Sequence, residues 1–150
     1  MKKGLILMAA CAVTWAACTK DSNTSMRERD ITRGSWRVRT YSATNTAFDD
    51  SLIVIPVSAT LAGNEIYFKE GGDFVRRVKL NLNGRNIDSM FTTGQWAFQA
   101  ADTKIQLTDS SVSGLYDVSQ LDDSLLVLVK TVPNDNDTSH ITYTTTFQRR

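Results

Sequence analysis

The feature that most constrains this chain is a two-residue alternation of apolar and polar side chains, which recurs from residue 35 to the C terminus. Near the end, for example, Ile141, Tyr143 and Phe147 alternate with threonines. This is the period of a β-strand with one buried face, because successive side chains point to opposite sides of a sheet. The pattern predicts an all-β domain.

Turn signals separate the alternating stretches. They combine glycine, which tolerates positive φ, with Asn or Asp, as in Glu70-Gly71-Gly72-Asp73, Asn83-Gly84 and Asp122-Asp123. The strands predicted between them are residues 35–42, 51–55, 65–69, 74–82, 94–98, 104–107, 115–121, 124–131 and 141–148.

Short connections favour antiparallel neighbours joined by hairpins. A long meander removes its exposed edges by closing on itself. The sequence therefore predicts an antiparallel up-and-down eight-stranded β-barrel, whose interior would hold side chains or one small ligand. A β-sandwich is the alternative, since it needs the same strand pattern.

The N terminus has the order of a secretory signal. Basic Met1-Lys2-Lys3 precedes an uncharged apolar stretch, residues 4–17, which ends in Ala16-Ala17 before Cys18. This stretch is shorter than the roughly 20 residues of a transmembrane helix. The predicted organisation is a signal peptide at 1–17, a lipidated cysteine and polar tether at 18–32, and a barrel domain at 33–150.

Charge and cysteine content narrow the class of protein. Removal of residues 1–17 takes away Lys2 and Lys3 and changes the formal net charge from +1 to −1. A nucleic-acid partner is not expected, because such proteins need clustered positive charge. Cys18 is the only cysteine left, so no intramolecular disulfide is expected and the domain depends on its hydrophobic core.

No set of residues predicts catalysis, a metal site or a cofactor. His140 is the only histidine, whereas a zinc site needs three or four converging ligands, so His140 is interpreted as a solvated residue opening the last strand. The loop at 134–137 lacks the glycine and distant glutamate of a calcium loop. No Gly-x-Ser-x-Gly motif is present. The protein is therefore not expected to be an enzyme.

Four residues are candidates for binding a ligand inside the barrel. Alternation from Phe74 puts Arg76 on the apolar face, where a buried guanidinium would need an internal carboxylate or an anionic ligand. A β-bulge after the glycine turn would instead turn Arg76 outward. Trp36, Trp96 and Tyr143 would either line a pocket or form plain core.

Several short motifs resemble known families. Trp15-Ala16-Ala17-Cys18 resembles the lipobox of bacterial lipoproteins, and Met8-Ala9-Ala10-Cys11 is a rival that would leave a minimal apolar region. Gly34-Ser35-Trp36 resembles the Gly-x-Trp of lipocalins, in which an arginine from the chain end, here within Arg149-Arg150, packs on the tryptophan. An ordinary signal peptide with an incidental cysteine is the alternative to lipidation.

The whole layout resembles lipocalin-like lipoproteins of Bacteroidetes, which have a second Gly-x-Trp, here Gly94-Gln95-Trp96. The resemblance implies a non-enzymatic protein held by Cys18 at the cell envelope, on the outer membrane. Its function would be to hold a small, partly apolar or anionic ligand in the barrel. The alternative is an accessory or structural lipoprotein that docks on another envelope protein.

Overall fold

The computed structural model describes residues 25–46, 51–55, 64–82, 85–110, 113–134 and 139–150, with side chains excepted at 51–55, 79–82 and 85–90. Cys18 and most of the predicted tether lie outside the described residues, as does the Asn83-Gly84 turn. The described elements are α1 Met26–Thr32, β1 Ser35–Asn45, β2 Ser51–Ile55, β3 Glu65–Phe68, β4 Asp73–Leu82, β5 Arg85–Gln99, β6 Lys104–Thr108, β7 Ser113–Leu121, β8 Leu125–Pro133 and β9 His140–Arg149.

The strands form a closed antiparallel barrel. From β3 to β9 each strand pairs with the next, and β9 pairs with β1 along its length, from Trp36↔Arg149 to Asn45↔Ile141. On its other edge β1 pairs with β3 through its first residues and with β2 through its last. Because β2 and β3 share one position beside β1, nine strands fill eight positions. The predicted eight-stranded barrel is confirmed, and the sandwich alternative is wrong.

The strand β5 is much longer than the sequence pattern predicts. It runs for 15 residues, Arg85–Gln99, whereas only residues 94–98 show clear alternation. Its pairing with β4 shifts between Ile87 and Met90. The Asp88-Ser89 pair, which is typical of turns, therefore lies at an irregularity inside a strand rather than between two strands.

The inward face of the barrel is a packed core toward the end where β1 begins. Alternating residues of successive strands supply it, as the period-2 pattern predicts. The buried cluster consists of Ile31, Trp36, Ile66, Phe68, Phe74, Trp96, Ile105, Leu107, Val118, Leu126 and Leu128. Phe68 packs edge-on against Trp96, with ring centroids 5.5 Å apart.

The helix α1 packs against this end of the barrel. Ser25 caps it by accepting a hydrogen bond of 3.0 Å from the Glu28 amide. Ile31 is fully buried. The Arg27 guanidinium donates to the Asp102 carbonyl oxygen in the β5–β6 turn. Residues 26–32, assigned by the sequence pattern to the tether, thus belong to the folded domain. No helix in the described part of the chain has the length and apolar character of a membrane span.

Two tight turns lie at the same end of the barrel, one with the predicted glycines and one without glycine. Gly71 and Gly72 adopt φ of 89° and 94°, which confirms the predicted glycine turn between β3 and β4. The β5–β6 turn reaches positive φ without glycine, at Ala100, Ala101 and Asp102. Left-handed conformations are costly for alanine, so this turn depends on surrounding contacts such as the bond from Arg27.

Candidate functional site

A cavity of about 210 Å³ lies inside the barrel, on the side of the core away from α1. Its wall is mostly apolar, with a few polar side chains. Seven strands and the residue before β3 contribute to it: Val38, Tyr41, Asn64, Glu65, Ile66, Arg76, Leu107, Tyr116, Leu128, Thr145 and Phe147. Small-molecule sites are typically concave, apolar and marked by a few converging polar groups, so this cavity is the candidate site.

Arg76 faces into the barrel and lines the cavity. The strict alternation from Phe74 holds here, because the register of β4 does not shift until it lies between Val78 and Leu80. The bulge that would have turned Arg76 outward is absent from this part of β4. The Arg76 Nε donates to the Thr92 hydroxyl at 3.3 Å.

The charge of Arg76 is met by Asp109, whose side chain is fully buried. The Arg76 Nη2 and Asp109 Oδ2 are 3.3 Å apart. Asp109 was missed by sequence reasoning, although a signal was present. Ile105 and Leu107 are buried on β6, and the same two-residue step continues to Asp109. This signal is weak, because an aspartate just after a strand is also typical of a turn.

Gly94 provides the space that this arrangement needs. A Cβ built on Gly94 would lie 2.5 Å from both the Thr108 carbonyl oxygen and the Phe74 ring, and 2.7 Å from the Asp109 Cβ. The second Gly-x-Trp motif therefore has a steric cause: the glycine lets β6 and the Asp109 side chain approach β5 closely.

Two tyrosines, Tyr41 and Tyr116, lie on the cavity wall, and a third, Tyr143, packs on Tyr41. Tyr41 and Tyr143 stack with ring centroids 6.0 Å apart and an interplanar angle of 8°. Burial, and to a lesser degree Tyr143, raises the pKa of Tyr41. Burial also raises the pKa of Tyr116, opposed by the charge of Arg76 and assisted by Tyr41 and Asp109. At neutral pH the Tyr41 and Tyr116 hydroxyls stay protonated and can donate hydrogen bonds.

Glu65 is the second charged residue of the cavity wall. Its Oε1 lies 3.0 Å from Nη2 of Arg37 and 3.0 Å from Nη1 of Arg150. Both arginines therefore neutralise it from the outer side. Among the described lining residues, Arg76 and Glu65 each have a charged partner in direct contact.

The other predicted ligand-binding residues lie elsewhere. Trp36 is fully buried at the α1 end, where its Nε1 donates to the Ile31 carbonyl oxygen at 2.8 Å. Trp96 is also core, and its Nε1 donates to the carbonyl oxygens of Lys69 and Asp73. Tyr143 is one ring away from the cavity, behind Tyr41. Of the four candidates, the structure brings only Arg76 onto the cavity wall.

The arginine expected to pack on the first tryptophan is Arg149. Its guanidinium carbon lies 4.6 Å from the Trp36 ring centroid, within cation–π range. The same side chain donates to the Asp30 carbonyl oxygen at 2.6 Å, in α1, and to the Asp122 carbonyl oxygen at 3.2 Å, in the β7–β8 turn. Arg149 thus joins the helix, the last strand and a turn over the buried indole.

The described residues contain no cluster of three or more His, Cys, Asp or Glu side chains that could hold a metal ion. His140 is exposed and opens β9, as predicted from its position in the sequence. The cavity therefore offers hydrogen bonds and apolar contacts.

Sequence comparison finds no matching family model and no matching curated protein. Solved structures do match. Apocrustacyanin C1 aligns with a TM-score of 0.50 at 14% identity, covering 84% of this chain and 64% of that one. Japanin from Rhipicephalus appendiculatus, solved bound to cholesterol, aligns with a TM-score of 0.48 at 10% identity, covering 81% and 78%.

A DUF4847 family protein from Bacteroides vulgatus aligns with a TM-score of 0.45 at 14% identity, covering 77% of this chain and 94% of that one. At these identities the matches concern the fold alone. The fold is a lipocalin-like closed barrel. The narrower resemblance to lipocalin-like lipoproteins of Bacteroidetes stays a prediction.

Proposed function

We propose that this protein is a binding protein, which holds one small, partly apolar molecule in the barrel cavity. The observation that carries the proposal is the cavity of about 210 Å³ with an apolar wall and a few inward polar groups. Typical sites for drug-sized ligands measure roughly 300–1,000 Å³. The expected ligand is correspondingly small.

The surroundings of the cavity also support a binding role. The core below it is closely packed, from Trp36 to Trp96, so the fold does not need the remaining space to be filled by its own side chains. Arg76 lies on β4 and Asp109 directly follows β6, so the paired strands of the barrel position both side chains. Such a preformed site binds without the entropy cost of ordering itself.

We further propose that the barrel is anchored at the cell envelope through lipid on Cys18, with the outer membrane as its location. The support is the order of basic, apolar and small residues before Cys18. Two or more acyl chains on one cysteine would give stable anchoring, whereas one gives only marginal binding.

Ligand binding is tested by native mass spectrometry of the protein purified from its own cells. The expected result is a mass increase, above that of the processed chain, that disappears on mild denaturation. A chain that carries no small molecule, together with no binding of apolar compounds in solution, would contradict the proposal and favour a docking role on another envelope protein.

Anchoring is tested by metabolic labelling with an alkyne analogue of palmitate. We expect label in the wild-type chain and in Cys11→Ser, because Cys11 lies in the predicted signal peptide. Cys18→Ser should carry no label and should leave the membrane fraction. Label that persists in Cys18→Ser would contradict the assignment of the lipidated residue.

A further inference from the structure

We infer that the cavity selects uncharged ligands that carry a hydrogen-bonding group, such as an alcohol, and discriminates against both carboxylates and amines of the same size. This inference rests on the proposed binding function and specifies the chemical class of the ligand. It differs from the sequence-based expectation, which allowed an anionic ligand opposite Arg76.

Arg76 brings a positive charge to the cavity wall. An inward arginine alone would favour a carboxylate, because it would supply a charge-assisted hydrogen bond. Here that partner is already built in, since Asp109 Oδ2 lies 3.3 Å from Arg76 Nη2 and the Asp109 side chain is fully buried. A ligand carboxylate would have to compete with Asp109 for the guanidinium, beside an uncompensated negative charge.

Glu65 and Lys130 carry further charges near the cavity. Glu65 also borders the cavity, but its side chain lies on the outward face of β3 together with exposed Tyr67. Arg37 and Arg150 each contact its Oε1 at 3.0 Å. Lys130 is a further cation beside Tyr116, with its ammonium 5.4 Å from the centroid of the Tyr116 ring. It is outside the set of residues that line the cavity. Among the described residues, an ionised ligand would therefore lose its hydration without gaining a free counter-charge, which is costly.

The cavity offers hydroxyl groups and apolar surface to a neutral ligand. Tyr41, Tyr116 and Thr145 lie on its wall and carry hydroxyls, which both donate and accept. The raised pKa values of Tyr41 and Tyr116 keep those two hydroxyls protonated at neutral pH. The apolar remainder of the wall, for example Val38, Leu128 and Phe147, suits a short hydrocarbon.

The test uses three probes of equal chain length: 1-heptanol, heptanoate and heptylammonium. They are titrated calorimetrically at pH 7.5 into the exported chain carrying Cys18→Ser, which keeps every described residue. We expect 1-heptanol to bind at least about tenfold more tightly than either ion, since an unpaired buried charge is costly. Equal or tighter binding of heptanoate or heptylammonium would overturn the inference while leaving the binding function intact.

Failure of all three probes to bind would instead count against the proposed function itself. The two failures are therefore distinguishable.

Two charge variants sharpen the test. Asp109→Asn leaves Arg76 without its carboxylate, so heptanoate should gain at least about tenfold in affinity relative to 1-heptanol. Arg76→Gln leaves Asp109 without its cation, so heptylammonium should gain relative to 1-heptanol. Unchanged affinity ratios between the ions and 1-heptanol, in variants that fold as judged by circular dichroism, would overturn the inference. If either variant fails to fold, the affinities of the three probes for the wild-type protein still decide.

Lys130→Met is the control for the cation beside Tyr116. The wild-type order of the three probes should persist in it. A heptanoate preference in the wild type that disappears in Lys130→Met would overturn the inference and assign anion recognition to Lys130.

Discussion

The two halves of the barrel interior solve the same packing problem in opposite ways. At the α1 end, the helix, Trp36 and Arg149 close the barrel over fully buried aromatic and aliphatic side chains. In the other half, tyrosines, a threonine and the Arg76–Asp109 pair surround unfilled space. The difference teaches that the packed core and the proposed binding cavity are separated along the barrel axis, so substitutions in the two halves should have different consequences.

The largest expected effect on stability is in the half of the barrel that α1, Trp36 and Arg149 close, which we call the closed half. Trp36→Ala removes a fully buried indole together with its hydrogen bond to Ile31 and its contact with Arg149. We expect the free energy of unfolding to fall by about 3–5 kcal/mol. Tyr143→Ala in the other half should cost only about 1–2 kcal/mol, because it removes mainly a stacking contact with Tyr41. Urea denaturation measures the free energy of unfolding of both variants. Equal losses would contradict the separation of the packed core from the cavity.

Gly94 is where the two halves meet, so a methyl group there should disturb both. Gly94→Ala brings a Cβ within 2.5 Å of the Thr108 carbonyl oxygen, which belongs to the backbone and cannot move easily. We expect a loss of about 1–3 kcal/mol in urea denaturation, together with weaker ligand binding.

Gly71→Ala is the matched control for Gly94→Ala. Its new Cβ would meet nothing within 4 Å, and its cost of about 1 kcal/mol comes from the φ of 89° alone. Ligand binding should be unchanged in Gly71→Ala. A Gly94→Ala protein as stable as wild type would show that the approach of β5 and β6 is adjustable.

The adjacent arginines at the chain end should differ sharply. Arg149→Met removes the cation over Trp36 and the bonds to the Asp30 and Asp122 carbonyl oxygens, so we expect a loss of about 1–2 kcal/mol. Arg150→Met removes only a partly exposed ion pair with Glu65 and should cost less than about 1 kcal/mol. Thermal or urea denaturation of both variants, compared side by side, would show whether closure depends on Arg149 specifically.

The cavity half should respond to alkaline pH. Burial raises the pKa of Tyr116 and of Tyr41 above 10. The unfolded chain then releases these protons before the folded chain does, so the stabilisation is present below pH 10 and is lost as the pH rises through the folded values. In urea denaturation between pH 8 and 11, Tyr116→Phe should weaken this loss. An identical alkaline slope in the variant would contradict the burial of this hydroxyl.

The stability of the closed half should depend on acidic pH through Asp122 in the β7–β8 turn. Hydrogen bonds from the Ser124 amide, the Gln120 side chain and the Leu125 amide lower the pKa of Asp122 below its ordinary 3.8. The stabilisation is therefore present above about pH 4 and is lost as the pH falls further. Asp122→Asn should flatten the stability curve below pH 4, measured by urea midpoints, while the alkaline slope stays as in the wild type.

Much of the fold could be predicted from local patterns. The alternation in β9 placed Ile141, Tyr143 and Phe147 on one face, and the structure pairs this strand with β1 to close the barrel. The glycine turn at Gly71-Gly72 was also predicted, because it requires positive φ. The irregular centre of β5 was not, since a shift of register depends on the neighbouring strand rather than on local composition.

The candidate site was only partly predictable. Alternation placed Arg76 inward and indicated that it needs a partner. Asp109 lies 33 residues further along the chain and directly follows β6, where an aspartate is typical of a turn. Trp36 and Trp96 have the residue type of a pocket wall, yet they lie in the packed core. Periodicity indicates which face a side chain shares, but it does not indicate how high along the barrel that side chain lies.

The sequence by itself determined that the chain forms antiparallel strands with one buried face, because that period is a local property of the backbone. It also determined the Gly71-Gly72 turn and indicated that an arginine of the Arg149-Arg150 pair packs on Trp36. Only the tertiary structure decided that α1 packs on the barrel end, that β2 and β3 share one position, and that Asp109 neutralises Arg76. These depend on which distant residues meet when the barrel closes, and closure fixes those distances for all strands together.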